Sequence, residues 1–469
     1  MDAERIANEM AAILGSENVL RDPVSLMTYE SDGVTLYKAM PHAVVFPSTT
    51  DEVSAVARLA NNAGVPFTAR GAGTGLSGGA IAAEGGVIIA LNKMNRILEL
   101  DIDNRCAVVE PGVVNLWISD AAEPHGYHYA PDPSSQKACT IGGNVAENSG
   151  GPHTLKRGVT VNHVTGLEWV MPDGEIVQFG GKSDGCVGYD LRGLAIGSEG
   201  TLGIATKIVV KLTPNPQTHK TLLAVFDSMQ NASQTVSETI ASGMIPASLE
   251  MMDRLIIGAV EEAFQFGFPE DAEAALLIEL DGLEAGMEAQ AEQIAEICRK
   301  NKAQSVQVAR SEEERQLLWK SRKQAFGALG RIAKDYLTQD GVVPRTRLPE
   351  TVTEVYRVSE KYGIPIANVF HAGDGNIHPV LLFDQSDPEQ VEKVLEASGE
   401  IMRACVEVGG VITGEHGIGV EKIEFMRLLF SENDLDLMTS LRDVFNPNGL
   451  CNPGKIIPDD EPSQWGMTL

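Results

Sequence analysis

Arg70-Gly71-Ala72-Gly73-Thr74-Gly75-Leu76-Ser77-Gly78-Gly79 follows a short run, Val65-Pro66-Phe67-Thr68-Ala69, that reads as a strand. Gly73, Gly75 and Gly78 satisfy GxGxxG, the spacing of the dinucleotide loop in Rossmann folds. Such a loop must open a helix of about ten or more residues. Here the chain continues through Ala80-Ile81-Ala82-Ala83-Glu84-Gly85-Gly86 into Val87-Ile88-Ile89-Ala90-Leu91, a strand. Each glycine costs about 1 kcal/mol of helix propensity, and Gly78, Gly79, Gly85 and Gly86 leave no room for that helix. The Rossmann reading fails, and an NAD-dependent dehydrogenase is disfavoured with it. The backbone chemistry survives: successive N–H groups in glycine-rich turns form an anion-binding nest, and Arg70 and Ser77 can add donors. A pyrophosphate is the natural guest, with an ordinary glycine-rich hairpin as the alternative.

Further glycine-rich stretches lie downstream: Pro131-Asp132-Pro133-Ser134-Ser135, then Thr140-Ile141-Gly142-Gly143-Asn144, Asn148-Ser149-Gly150-Gly151-Pro152 and Gly197-Ser198-Glu199-Gly200-Thr201-Leu202-Gly203-Ile204. Each can be turn chemistry. Together they supply backbone able to lie flat against a large planar ligand. They alternate with short runs such as Ala43–Phe46 and Ile208–Val210, which read as strands. After Leu212-Thr213-Pro214-Asn215-Pro216, whose prolines interrupt regular structure, the texture changes. Leu222–Phe226, Ala275–Leu280 and Val306–Val308 read as strands, and 231–242 and 286–300 as helices. That alternation predicts an α+β layer with helices on one face of an antiparallel sheet.

The chain has 469 residues, too many for one ordinary core, so two or three domains are expected. Apolar content of 43% with 22% charged residues fits a globular protein. No apolar run reaches about 18 residues, which predicts no transmembrane segment. The N-terminal 14 residues have helical apolar spacing and lack a basic start, so they read as an amphipathic helix rather than a signal peptide. A formal charge of −28 repels phosphate backbones and anionic lipids, arguing against nucleic acid or direct membrane binding. The six cysteines are scattered without a CxxC, which argues against an iron–sulfur cluster or zinc ribbon within the chain and fits a reducing cytoplasm.

The sharpest side-chain chemistry is His371-Ala372-Gly373-Asp374-Gly375-Asn376-Ile377-His378, between strand candidates Asn368–Phe370 and Pro379–Phe383. If Ala372 pairs with Ile377, His371 sits directly opposite His378, with Cβ atoms about 5 Å apart. Two imidazoles so placed can share one metal ion at about 2.1 Å. The alternative is a half-buried hairpin stabilised by a histidine pair. Gly414-Glu415-His416-Gly417-Ile418-Gly419 offers Glu415 as an oxygen ligand and His416 as a base, or else a solvated pair in a glycine-rich loop.

The ordered set RGAGTGLSGG, PDPSS, TIGGN and GSEGTLGI resembles the FAD-binding domain of the vanillyl-alcohol-oxidase type, and more narrowly the glycolate oxidase catalytic subunit and D-lactate dehydrogenase branch. The match runs from about Pro41 to the C-terminus. The resemblance implies an α+β protein: an N-terminal helical segment (1–37), an FAD-binding domain (38–217), a substrate and metal domain with an antiparallel sheet (218–440), and a C-terminal segment (441–469) closing on the FAD domain. It implies FAD contacts from Arg70, Gly71, Gly73, Thr74, Gly75, Ser77 and Gly78, and from Pro131, Asp132, Ser134 and Ser135. Further contacts fall to Thr140, Gly142, Gly143, Asn144, Ser149 and Gly150, and to Glu199, Gly200, Gly203 and Ile204. No histidine lies between Arg70 and Gly79, where some relatives attach flavin covalently, so noncovalent FAD is expected.

HxGDGNxH and GEHGxG in such relatives carry His371, His378 and Glu415 over as ligands of a divalent metal (Zn, Mn or Fe), and His416 as substrate-binding base. Leu318-Trp319-Lys320-Ser321-Arg322-Lys323 resembles the helix that supplies an arginine to the substrate carboxylate, which nominates Arg322; a surface arginine is the alternative. Relatives specialised for D-2-hydroxyglutarate carry lysine near Thr338 and asparagine at Val380, so this chain's residues favour glycolate or D-lactate. The expected activity is oxidation of a small D-2-hydroxy acid to the 2-keto acid. A D-2-hydroxyglutarate dehydrogenase and a non-catalytic flavoprotein subunit of an electron-transfer complex stand as alternatives. Reduced flavin needs an acceptor: an iron–sulfur subunit, an electron-transfer flavoprotein or quinone. The expected location is the cytoplasm, with peripheral membrane attachment through a partner subunit left open.

Overall fold

The computed structural model describes residues 3–183, 185 and 187–459. The described chain divides into two compact units. Unit 1 comprises the chain up to Gly150, Val159–Asn215 and the described residues from Glu415 onward; unit 2 comprises Gly151–Gly158 and Pro216–Gly414. The second large boundary thus falls at Gly414/Glu415, upstream of 441, which lies inside the helix Glu432–Phe445.

In unit 1 the strands β1 (Val19–Leu20), β2 (Ala43–Val45), β3 (Phe67–Arg70) and β4 (Val87–Ala90) form a sheet in the order β1-β2-β4-β3. β4 runs parallel to both β2 and β3. β2 and β3 are joined by the helix Thr50–Ala63, started by Thr49 accepting from the Glu52 N–H and ended by Gly64 in the left-handed region. β3 and β4 are joined by 71–86 without any helix, as the glycines require. A second, antiparallel sheet takes β5 (Ile97–Asp101), β6 (Cys106–Val109), β8 (Val164–Val170), β9 (Ile176–Gly180) and β10 (Ile204–Lys211) in the order β5-β6-β10-β8-β9. The short strands β7 (Tyr127–His128) and β11 (Thr213–Pro214) pair separately. The C-terminal stretch returns to the first sheet, where Cys451 bridges to Phe67 and the N–H of Asn452 donates to the Phe67 carbonyl.

Unit 2 is built on β12 (Thr218–Phe226), β13 (Ser248–Asp253), β14 (Ala274–Gly282), β15 (Ser305–Val308), β16 (Asp335–Thr338), β18 (Ile366–Phe370) and β20 (Pro379–Phe383). Among the described residues these make a seven-stranded sheet, β15-β12-β14-β13-β18-β20-β16, antiparallel at every pairing. β17 (Gly341–Val342) and β19 (Asn376–Ile377) pair beside it. The antiparallel sheet agrees with the expectation, but one-sided covering does not. Leu223 and Val225 of β12 pack with Ile256 and Val260 of the helix Arg254–Phe264 and with Trp319. Their alternates Leu222, Ala224 and Phe226 are fully buried as well, as are Leu276 and Ile278 of β14. The apolar runs of these strands are continuous rather than alternating, the pattern of a sheet covered on both faces.

No described helix is long and apolar enough to cross a membrane. The N-terminal helix spans Ala3–Leu14, with Met1 and Asp2 outside the described residues. Among the described cysteines no disulfide forms, and Cys186 lies outside those residues.

Candidate active site

In unit 2 the hairpin from β18 to β20 carries both motif histidines. Asn368 pairs with Pro379 and His371 with Asn376, so one register runs through it and the turn is Ala372–Gly375. The expected pairing of Ala372 with Ile377 is therefore corrected by two residues, and His378 lies diagonal to His371 rather than directly opposite. A slip of two preserves the face of every side chain, whereas a slip of one would reverse it. The turn dictates the slip. Asp374 accepts from the Asn376 N–H at 3.1 Å, and Gly375 sits at φ 86° with a would-be Cβ only 2.1 Å from the Val343 carbonyl oxygen.

The two imidazoles face one another edge-on, ring centroids 5.2 Å apart and planes at 90°. They are 4% and 3% exposed, not half-buried. His371 Nδ1 lies 2.8 and 2.9 Å from the carboxylate oxygens of Glu250, a fully buried residue in the middle of β13. His378 Nδ1 lies 3.2 Å from the Gln339 carbonyl oxygen. Metal-ligating histidines characteristically engage one ring nitrogen with a carboxylate or carbonyl, which fixes the ring for ligation through the other. The donor chemistry of this pair fits a divalent metal.

Arg322 is not a surface arginine: it is 4% exposed, and its Nη2 lies 2.7 Å from Glu250 Oε2. Burial alone would raise the Glu250 carboxyl, but the charges of His371 and Arg322 overcome it and hold the group below its ordinary range. Sequence reasoning missed Glu250. The signal was a lone acid inside the apolar strand Leu249-Glu250-Met251-Met252, where a buried charge must find partners. It also missed Asp340, whose Oδ2 accepts from Thr413 Oγ1 at 2.6 Å and from the Gly414 N–H at 2.9 Å, and whose Oδ1 lies 3.8 Å from His378 Nδ1. Thr338 and Val380, the positions compared above for substrate preference, are cross-strand partners on β16 and β20.

In unit 1 the loop after β3 is shaped by glycine. A Cβ on Gly71 would stand 2.3 Å from Thr140 Oγ1, and Gly73 and Gly78 have φ of 69° and 74°. The hydroxyls of Ser77 and Thr140 are buried with no protein hydrogen-bond partner. A backbone cradle flanked by two such hydroxyls suits the phosphates of FAD. Arg70 is fastened within the loop. Nη2 donates to the Ser31 carbonyl and Nη1 to that of Ala80, and the guanidinium lies over the Tyr29 ring, so the side chain braces the loop from within. Asn144 accepts from Asn115 and donates to Ser149, tying two of the expected FAD residues to one another. Gly142 packs against Pro111, and Gly203 against the Trp169 indole and the Val170 carbonyl, so both are small for reasons of packing. Pro131 is buried, Asp132 and Ser135 are half-buried, and Ser134 is exposed.

Glu199 turns inward as well. Its oxygens each accept a backbone N–H at 2.7 Å, from Ile418 and Gly419. Glu415 and His416 precede that segment in unit 1 and are half-buried.

Comparison with known proteins agrees with both halves of this description. Residues 41–180 match the FAD binding domain model, and residues 215–456 match that of the FAD linked oxidases, C-terminal domain. The chain belongs to the FAD-linked oxidases. Among its relatives, the glycolate oxidase subunit GlcD of Escherichia coli K12 is 46% identical over 94% of this chain and 88% of its own length. GlcD of Bacillus subtilis is 41% identical over 98% of both chains, and a D-lactate dehydrogenase of Archaeoglobus fulgidus 35% identical over 88% of this chain and 91% of its own. Among solved structures, p-cresol methylhydroxylase superposes with a TM-score of 0.77 at 18% identity, covering 98% of each chain. Alkyldihydroxyacetonephosphate synthase gives 0.72 at 18% identity, covering 96% of this chain and 84% of its own. These likenesses place the fold with the FAD-binding architecture expected from the glycine loops. The protein is an FAD-linked oxidoreductase.

Proposed function

We propose that this chain oxidises a small D-2-hydroxy acid, glycolate or D-lactate, to the 2-keto acid and passes the electrons to an acceptor other than NAD. One observation carries the reading: two buried imidazoles on one hairpin face, with Glu250 joining His371 to Arg322. The names of the GlcD and D-lactate dehydrogenase relatives point to the same chemistry. His371, His378 and Glu415 are the proposed ligands of a divalent metal, and the loops 70–79, 131–135, 140–150 and 199–204 the proposed noncovalent FAD site. When bound, FAD supplies the hydride acceptor, and the metal supplies Lewis acidity that lowers the pKa of an α-hydroxyl.

The chain's own residues do the remainder. Arg322 presents a guanidinium to the substrate carboxylate while Glu250 fixes its orientation. His416, in its neutral form, takes the hydroxyl proton as the Cα–H bond breaks. Burial of His371, His378 and Arg322 keeps water from competing for these contacts. The word subunit in the GlcD names supports a protein partner as acceptor, an iron–sulfur subunit or an electron-transfer flavoprotein, with quinone as the non-protein alternative.

Anaerobic titration of the flavin band with D-lactate, glycolate, L-lactate and D-2-hydroxyglutarate tests the reading. Bleaching by D-lactate or glycolate and not by L-lactate is expected. Bleaching by D-2-hydroxyglutarate alone would move the substrate to the dicarboxylate, and a spectrum unchanged by all four would overturn the proposal in favour of an accessory flavoprotein subunit.

A further inference from the structure

Groups from two of the glycine-rich loops hold the 417–421 segment at four of its backbone N–H groups. The Ser77 carbonyl accepts from the N–H groups of Val420 and Glu421 at 3.0 and 3.2 Å. Glu199 accepts from those of Ile418 and Gly419, and Gly419 approaches so closely that a Cβ would stand 2.0 Å from the Ser77 carbonyl oxygen. At Gly417 a Cβ would meet Glu147 Oε2 at 2.1 Å and Glu199 Oε1 at 2.9 Å, so the backbone there is wedged between two buried carboxyls. Glu199 itself adopts φ 49°, a conformation that costs a non-glycine residue and persists only where the surroundings impose it. Its backbone carbonyl is fastened too, accepting from Asn452 Nδ2 at 2.6 Å.

We infer that Glu199 is a positioning residue for the proposed base loop: its carboxylate fixes the turn that directly follows His416, and so sets where Glu415 and His416 point. The inference rests on the proposed roles of those two residues. It reassigns Glu199 from the FAD contacts to the chemistry step. Two parallel N–H to carboxylate bonds define a direction as well as a distance, which one bond does not. Glu147 backs the same turn. Burial and the neighbouring Glu199 both push its carboxyl well above the ordinary range.

The test is Glu199→Gln beside Glu199→Ala in the full chain, with flavin content, melting temperature, bound divalent metal and the rate of anaerobic flavin reduction measured together. Glutamine keeps one acceptor oxygen and leaves one of the two N–H groups unmet, so it should fall between wild type and alanine. The expected result is flavin content unchanged, KM for the hydroxy acid within about twofold, and kcat lower by roughly tenfold for glutamine and a hundredfold for alanine, the scale of a misplacement of about 1 Å. Flavin lost in proportion to activity would return Glu199 to the FAD contacts and overturn the inference, as would a wild-type rate in Glu199→Ala. If Glu199→Ala fails to fold, Gly417→Ala, whose Cβ would press on both Glu147 and Glu199, strains the same turn from the loop side and should show the same split between kcat and KM. Failure of the underlying reading looks different: His416→Ala would then reduce its flavin at the wild-type rate, whatever the Glu199 variants do.

Discussion

Glu199 in unit 1 gives its oxygens to neutral backbone donors, whereas Glu250 in unit 2 gives its own to an imidazole and a guanidinium. Both are buried, yet their acidities move apart. Burial pushes Glu199 up against the pull of its two N–H bonds, and the charges around Glu250 hold it down. Asp253 sharpens the contrast, because it sits on β13 only three residues beyond Glu250. Its donors are all neutral: the N–H groups of Ile256 and Asn368, the Asn368 amide and the Tyr356 hydroxyl. Burial raises it to about 6. Among these three acids, charged partners hold the carboxyl below its ordinary range at Glu250, and burial among neutral hydrogen-bond donors leaves Glu199 and Asp253 above it. The two units use this difference for different work. Unit 1 positions backbone through glycine and inward-turned acids, and unit 2 positions side chains through a chain of charges.

The largest effect should come from His416→Ala. A base acting on the substrate hydroxyl contributes about 10²- to 10⁴-fold. Flavin reduction should slow by that range, with FAD and metal content unchanged, as read by stopped-flow absorbance and metal analysis. Glu250→Gln attacks the other side of the comparison. It leaves Arg322 buried without its counter-charge, which should cost about 3 kcal/mol in unfolding free energy, and should weaken metal retention roughly 10- to 100-fold. Denaturant melts and metal titration would show both; a Glu250→Gln protein with wild-type stability and metal content would break the contrast with Glu199.

Gly375→Ala is a smaller, purely conformational change. At φ 86° and against the Val343 carbonyl, alanine should lower stability by about 1–3 kcal/mol, and loosened His371 and His378 should lower metal content in parallel. The smallest effect is one of pH. Asp253 has a folded-state pKa of about 6 against 3.8, so between those values the folded form binds more protons than the unfolded one. Its contribution to stability is therefore fully favourable below about 4 and diminishes as pH rises to about 6, by about 3 kcal/mol. Relative to Asp253→Asn, wild type should lose stability across that window and run parallel above it. A constant gap from pH 4 to 7 would show that Asp253 is already ionised at low pH.

Much of this was legible in the chain. Glycine-rich turns and the amphipathic helix at Ala3–Leu14 depend on local geometry, and so do the hairpin and its two histidines. Spacing also excluded the Rossmann helix after Gly79, because propensity is a local cost. The family followed from the order of those motifs and agrees with the matched models.

Tertiary structure decided what sequence separation hides. The hairpin turn packs Gly375 against the Val343 carbonyl, a contact that no feature of the turn itself announces. Glu250 meets His371 across 121 residues, and Glu199 meets Ile418 across 219. In isolation these acids read as a strand substitution and a loop residue. Burial gave them their meaning, since a carboxylate withdrawn from water must find donors, and which donors it finds is set by the packing of distant segments.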